Sequence, residues 1–219
     1  MSRLQKITKG EAIQAQFALL VAVALQAVVW QVNSHVFYGP QFLIIAVEIA
    51  LAVVFYLAAS MKTLHARHLQ SSAATIMLGI LSAANVASLG LVIYFLITGD
   101  EFTSGLQLLA SALAIFLTNV IVFAFWYWEI DSPGLTRKRW SAHDKDFQFP
   151  QQDRPKEFPD WRPEFVDYMY LSLTNAINFA PADTRPVTRN AKVLMGTQAI
   201  VSALTLGLVL ARSVSILGS

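Results

Sequence analysis

The sequence predicts an all-α, polytopic membrane protein with five transmembrane helices and one short re-entrant or interfacial helix. Its 219 residues are 55% hydrophobic and only 14% charged, whereas soluble domains carry about 25% charged residues. The apolar residues are gathered in blocks of about 20, the length that crosses the hydrocarbon core of a bilayer. Because backbone polar groups inside a bilayer have no water to bond, such blocks are expected to be helices.

Five apolar blocks are long enough to span the bilayer. The first follows a basic N-terminus and has some features of a signal peptide. It is longer than the apolar region of about 7–15 residues that signal peptides carry, which favours a membrane anchor. Short polar breaks separate the first four blocks, and a long polar stretch precedes the fifth. The blocks cover residues 12–32, 42–61, 73–97, 105–128 and 189–216.

A sixth apolar segment, residues 164–178, is too short to cross a bilayer. Pro163 suits the first position of a helix, and Glu164 and Asp167 complement the positive end of the helix dipole. A proline-containing turn follows, and Thr188 is expected to cap the last helix. A half-length helix, a turn and a full-length helix in this order predict a re-entrant loop, while a helix lying flat at the interface fits the same pattern.

The chain is therefore divided into two predicted regions. Residues 1–104 form an N-terminal three-helix membrane region, and residues 105–219 form a second region around the half-length segment. The polar loop of the second region is rich in proline and lacks a helical apolar period, so it is expected to be irregular. The elements of this region are an outer helix at 105–129, a polar loop at 130–162, a half-helix at 163–178, a turn at 179–188 and an inner helix at 189–216.

The lysines and arginines predict the orientation of the chain. With five spans, 15 of the 16 basic residues fall on one side of the membrane. The positive-inside rule makes that side cytoplasmic. We therefore expect a multi-pass protein of the cell (inner) membrane, with the N-terminus and the segment 130–188 in the cytoplasm and the C-terminus outside.

Polar side chains recur at helical spacing in the last helix. Residues of this kind inside a span usually face protein or water, because burying them in hydrocarbon is unfavourable. Two interpretations are open: a face that lines a polar path, or ordinary packing with hydrogen bonds between helices. Beside the polar stripe runs a series of small residues that allows close helix packing, Ala199, Ala203, Gly207 and Ala211. The pore-lining candidates are Gln198, Ser202, Thr205 and Arg212.

Glu48 is the single carboxylate well inside a predicted span. An intramembrane acid is a functional hypothesis by default, here as a cation ligand or proton carrier. A hydrogen-bonded structural glutamate is the alternative. The sequence has no cysteine, no phosphate-binding glycine loop, no serine elbow and no zinc signature. We therefore expect a protein that is not an enzyme, has no catalytic residue, metal or cofactor, and does not bind nucleic acid.

The run from Tyr170 to Thr188 resembles the pore region of tetrameric potassium channels. In that family a pore helix leads into a Thr-Val-Gly-Tyr-Gly-Asp filter and a proline-containing turn before the inner helix. Similar C-terminal ends occur in uncharacterised channel-like bacterial membrane proteins. The resemblance covers about 50 of the 219 residues and implies a tetrameric homo-oligomer that passes a monovalent ion. The residues of the filter-like turn are Asn175, Asn178, Phe179, Ala180, Pro181, Ala182 and Asp183.

The filter-like turn departs from the family pattern in a way that bears on selectivity. Both filter glycines are replaced by alanine, Ala180 and Ala182, and the tyrosine is replaced by Pro181. A carbonyl-lined filter needs a backbone that glycine permits and alanine resists. Potassium selectivity by the mechanism of that family is therefore not expected. The charge distribution also places this turn on the cytoplasmic side, which is the reverse of the potassium-channel arrangement.

Two functional hypotheses follow from these patterns. In the first, the protein is a pore-forming oligomer in the lipid bilayer. In the second, it is a non-conducting structural or regulatory membrane subunit, and the loop at 130–162 docks a cytoplasmic partner or anionic lipid headgroups. A transporter that uses Glu48 is a third hypothesis with less support, because the sequence shows no internal repeat.

Overall fold

The computed structural model describes residues 9–32, 50, 64–98, 105–131, 145–178 and 183–217. Within these ranges the chain is mostly helical, which confirms the prediction of an all-α protein. The elements are α1 (Lys9–Val32), α2 (Leu64–Thr98), α3 (Gly105–Asp131), β1 (Phe147–Gln148), a 3-10 helix (Pro150–Asp153), α4 (Phe165–Asn178), β2 (Arg185–Pro186) and α5 (Arg189–Leu217).

Three of the described helices are long and apolar enough to cross a membrane, so the assignment to the membrane class is confirmed. The predicted number of five spans is not confirmed. The apolar part of α1, Ile13–Val29, is shorter than the others, and the predicted span at 42–61, which contains Glu48, lies outside the described residues apart from Ala50. The three membrane-spanning stretches are Thr75–Phe95, Leu106–Asp131 and Arg189–Ala211.

Helix α3 is the centre of the fold and packs against each of the other four helices. Of its membrane-spanning stretch, 78% is buried inside the protein, against 39% for α2 and 28% for α5. A helix that is covered on nearly all sides needs apolar residues around its whole circumference, which matches the nearly unbroken apolar sequence of α3. The other helices expose broad apolar faces, as expected of helices that contact lipid.

Helices α2 and α3 run antiparallel. Their contacts show which positions of the two helices lie at the same level along the bundle. Near the C-terminal end of α3, the indole Nε1–H of Trp126 donates to Ser82 Oγ of α2 at 3.0 Å. Toward the other end of α3, Leu108 lies in one buried cluster with Phe95 of α2. A position in the middle of α2 is therefore level with a position near the end of α3.

The polar loop forms a folded cap over the C-terminal end of α3. β1 and β2 pair antiparallel, with Phe147 opposite Pro186 and Gln148 opposite Arg185. The ring of Phe147 is fully buried beneath this pair. The prediction of an irregular loop at 130–162 therefore misses a strand and a 3-10 turn, because two-residue strands carry no alternating pattern that a sequence could reveal. Residues 132–144 of this loop lie outside the described part of the chain.

The predicted helix ends are close to the observed ones for the last three helices. Helix α3 ends at Asp131 instead of 129, and α5 ends at Leu217 instead of 216. Helix α2 begins at Leu64, well before the predicted start at 73. Part of the basic segment between the second and third blocks is therefore helical, because helix formation continues through polar residues beyond the apolar span.

Candidate functional site

Helix α4 exposes mainly apolar side chains and buries two polar side chains, Ser172 and Asn175, among the apolar and aromatic residues of its inner face. Ser172 is fully buried and Asn175 is 2% exposed. An interfacial helix on a water-exposed surface would show the opposite arrangement, with polar residues outward. An outward apolar face is typical of a helix that lies in lipid or against another membrane protein. The exposed apolar side chains of α4 are Val166, Tyr170, Leu173 and Ile177.

Helix α4 begins beside the end of α3 and reaches toward the middle of that span. Phe165 packs against Phe125 near the C-terminus of α3, with ring centroids 4.8 Å apart. Near the other end of α4, Ala176 is buried in a cluster with Phe116 and Val120 of α3. The 14 residues of α4 extend about 21 Å at 1.5 Å per residue. The tip of α4 therefore lies near the midpoint of the membrane-spanning stretch of α3.

Asn175 and Gln198 form the centre of a buried hydrogen-bond network. The amide Nδ2–H of Asn175 donates to Gln198 Oε1 at 2.8 Å and to the Met195 carbonyl at 3.1 Å. Gln198 Oε1 also accepts the Tyr127 hydroxyl at 2.5 Å. The Nε2–H group of Gln198 donates to Ser172 Oγ at 2.7 Å and to the Ser172 carbonyl at 3.0 Å. The network therefore joins α3, α4 and α5.

The rest of the predicted polar stripe of α5 is also internal. Gln198, Ser202 and Thr205 are all fully buried. Asn119 of α3 donates Nδ2–H to Ser202 Oγ at 2.9 Å, and the Thr205 hydroxyl bonds to a carbonyl of its own helix at 2.7 Å. These contacts match the packing interpretation of the stripe. A pore-lining role would require the three side chains to face water, and in the described chain they face protein. The side chain of Arg212 lies outside the described part.

The filter-like turn is described only at its two ends. Asn178, the last residue of α4, and Asp183, at the far end of the turn, are both exposed. Thr184 donates its hydroxyl to Asp183 Oδ1 at 3.4 Å. Asn175 belongs to the buried network and not to an exposed constriction. The filter-like residues outside the described part of the chain are Phe179, Ala180, Pro181 and Ala182.

Asp131 holds the cap to the helices. Its Oδ1 accepts the backbone N–H of Asp146 at 2.5 Å and that of Phe147 at 2.9 Å, and its Oδ2 accepts the Tyr168 hydroxyl at 2.6 Å. Thr188 donates its hydroxyl to the Asp146 carboxylate. The sequence analysis did not identify Asp131; the available signal was an acid directly after an apolar helix.

The predicted cap of the last helix is confirmed. Thr188 Oγ1 accepts the backbone N–H of Ala191 at 3.2 Å, in the first turn of α5. A threonine before a helix is suited to this bond because its hydroxyl satisfies a backbone donor that has no partner within the helix. The same hydroxyl donates to Asp146, so the start of α5 is tied to the cap.

A cluster of charges lies where α1, the cap and α4 meet. Glu11 of α1 is 3% exposed and lies 3.7 Å from the Arg162 guanidinium. Asp167 Oδ2 accepts the backbone N–H of Glu164 at 2.7 Å, so it satisfies a donor at the start of α4. A cavity of about 410 Å³ adjoins this cluster and is lined by Asp160, Trp161, Arg162, Glu164, Val166 and Asp167.

We expect Asp167→Asn to remove a pH-dependent loss of stability. Burial raises the pKa of Asp167 above its ordinary value of 3.8, and the charges of Glu164 and Glu11 act in the same direction. Because the pKa of Asp167 is higher in the folded than in the unfolded state, its contribution to stability is fully present below the unfolded-state pKa. That contribution is lost as pH rises through the folded-state pKa. Asparagine keeps an acceptor for the Glu164 N–H group and does not ionise.

The measurement is the thermal midpoint of both proteins in detergent from pH 3.5 to pH 7. The two midpoints should agree at the acidic end, and the variant should become the more stable protein as pH rises. Other carboxylates titrate in both proteins, so only the difference between the curves reports on Asp167. Parallel curves would contradict the prediction.

Within the part of the chain that the structure describes, no group of three or more His, Cys, Asp or Glu side chains could hold a metal ion. The polar site is instead a set of amides and hydroxyls between α3, α4 and α5. Comparison of the chain with protein-family models, curated proteins and solved structures finds no match.

Proposed function

We propose that the chain is an oligomeric integral membrane protein of the pore-loop channel type, without potassium-type selectivity. Helices α3, α4 and α5 take the places of the outer helix, the half-helix and the inner helix. The observation that carries the proposal is the half-helix itself: α4 exposes mainly apolar side chains, buries the polar side chains of Ser172 and Asn175, and reaches the middle of the α3 span. A half-length helix with this polarity fits a re-entrant position, because lipid-exposed polar groups are unfavourable at that depth.

The conduit in this proposal lies on the face of α5 that a single chain leaves exposed. Gln198 holds the half-helix through Ser172 and Asn175. Ser202 bonds to α3, and Thr205 bonds within α5. Two exposed polar side chains are candidates for lining this conduit. They are Asn178 at the tip of α4 and Thr197 of α5, and they are the only such residues in the described part of that tip and of α5 beyond its first turn. Neutral polar groups of this kind favour a weakly selective path for small monovalent ions over a high-affinity site.

The test combines ion flux with the accessibility of the half-helix tip. The sequence contains no cysteine, so a single introduced cysteine is a clean probe. In liposomes we expect a monovalent cation flux that a charged, membrane-impermeant thiol reagent reduces at least tenfold in Asn178→Cys. Leu173→Cys is the matched control, since Leu173 lies on the outer apolar face of the same helix and is 39% exposed; it should not react. Absence of flux from a protein that is monomeric in mild detergent would exclude the proposal.

A non-conducting membrane subunit is the second candidate function. The observation that favours it is the complete use of the buried α5 residues Gln198, Ser202 and Thr205 in contacts within one chain. In this case the cap at 145–162 would dock a cytoplasmic partner, and Phe158 is an exposed apolar side chain, 42% accessible, within that cap. The flux experiment separates the two candidates, because only the first predicts that a blocked tip changes ion movement.

A further inference from the structure

A second buried polar layer lies away from the half-helix, where α1, α2 and α3 meet. Helix α1 contributes Gln26, α2 contributes Asn85 and Ser88, and α3 contributes Thr118. These side chains are 4%, 4%, 7% and 1% exposed respectively. Four polar side chains buried at one three-helix junction are unusual inside a membrane protein, where such groups require partners.

The residues of α1 and α2 in this layer lie at a similar height in the bundle. Gln26 donates Nε2–H to the Leu81 carbonyl of α2 at 3.3 Å, which fixes α1 against this part of α2. Asn85 follows Leu81 by one helical turn, and Ser88 follows Asn85 by about one more turn. Gln26, Asn85 and Ser88 are therefore within about two turns of each other.

Thr118 belongs to the same layer because α3 runs antiparallel to α2. The contact between Trp126 and Ser82 sets the register of the two helices. Ser88 lies almost two turns beyond Ser82 on α2, and Thr118 lies about two turns before Trp126 on α3. The two hydroxyl-bearing residues Ser88 and Thr118 therefore lie at similar heights, about 3 Å apart along the helix axes, near the middle of the membrane-spanning stretch of α3.

Thr118 has an unusual defect in hydrogen bonding. Its Oγ1 atom is buried and has no hydrogen-bond partner among the residues that the structure describes. Leaving a buried hydroxyl without a partner is costly, and buried polar groups are nearly always satisfied by protein or by ordered water. An internal water needs two to four polar partners, and this layer supplies them.

We propose that this layer binds ordered water, held by Thr118 together with Asn85 and Ser88, in the middle of the membrane. The water supplies the missing partner of the Thr118 hydroxyl and connects α2 to α3 without a direct side-chain bond. The site is separate from the α4 network and is independent of the proposed function.

The test is water-edited solid-state NMR of the full-length protein in lipid bilayers. We expect magnetisation transfer from water to the Thr118 methyl group. The variant Thr118→Val has the same shape without the hydroxyl, and the methyl groups of the introduced valine should receive no such transfer. Thr118→Ser keeps the hydroxyl and should keep transfer to the backbone of residue 118. Thr205 is the internal control, because its hydroxyl bonds to its own helix and should receive no transfer.

Thermal stability gives a second readout with opposite signs for the two possibilities. If water is bound, Thr118→Val removes one of the hydrogen-bond partners of that water and lowers the thermal midpoint by a few degrees. If the hydroxyl has no partner at all, the same substitution removes a buried unsatisfied group and raises the midpoint. Absence of water transfer to Thr118, or a raised midpoint in the variant, would overturn the proposal.

Discussion

Gln198→Leu is expected to destabilise the folded protein by about 3 kcal/mol. The substitution removes four hydrogen bonds, which Gln198 makes with Tyr127, Asn175 and Ser172. Hydrogen bonds between membrane helices are worth about 0.6 kcal/mol on average and up to about 1.7 kcal/mol, so the loss of four gives a figure of this size. The variant also leaves a buried tyrosine hydroxyl without its acceptor.

The free energy of unfolding can be measured by titrating the protein from mild detergent into SDS. Thr197→Val is the matched control, since Thr197 is the neighbouring residue on the exposed face and bonds only to a carbonyl of its own helix. We expect a change below about 0.5 kcal/mol for this control. If Gln198→Leu were as mild as the control, the network would not be what holds α4 in place.

Asp131→Ala is expected to release the cap and to cost about 3 kcal/mol. The carboxylate receives three hydrogen bonds, from Tyr168 and from the backbone of Asp146 and Phe147. Hydrogen bonds to a charged acceptor are stronger than neutral ones, at about 1.5–3 kcal/mol each, and part of this energy returns when the freed groups are hydrated. The cap should then open locally while the membrane helices stay folded.

Limited trypsin digestion measures this opening. Lys156 lies in the exposed part of the cap, and we expect cleavage after Lys156 to be at least tenfold faster in the variant. Asp153→Asn is the control, because Asp153 pairs with Arg185 at 3.1 Å on an exposed surface and such pairs contribute little. Equal cleavage rates in Asp131→Ala and the wild-type protein would contradict the assigned role of Asp131.

The helical part of the fold could be predicted from the sequence because it depends on local properties. The apolar blocks predicted the ends of α3 and α5 to within three residues, and the short apolar segment before α5 predicted the half-helix. The Thr188 cap was also predictable, since a capping residue acts on the turn next to it. The predicted span at 42–61 is not tested, because apart from Ala50 it lies outside the described residues.

The partners of the polar residues could not be predicted from the sequence. Periodicity placed Gln198, Ser202 and Thr205 on one face of a helix, but it does not indicate whether that face meets water, lipid or protein. The partner of Ser202 is Asn119, which is 83 residues away in the chain. The bonds of Asp131 likewise reach residues 15 to 37 positions away. Contacts over such separations depend on tertiary packing, which a local pattern does not encode.

The bonding pattern of α4 has a consequence for how the protein is made. The amide of Asn175 donates to the Tyr127 hydroxyl, which is synthesised before α4, and to Met195 and Gln198, which are synthesised after it. While α4 but not α5 has left the ribosome, Asn175 therefore has only one of these three partners within reach. We expect the half-helix to wait at the membrane surface during translation and to move inward together with α5, so that biosynthesis completes the fold with a concerted final step.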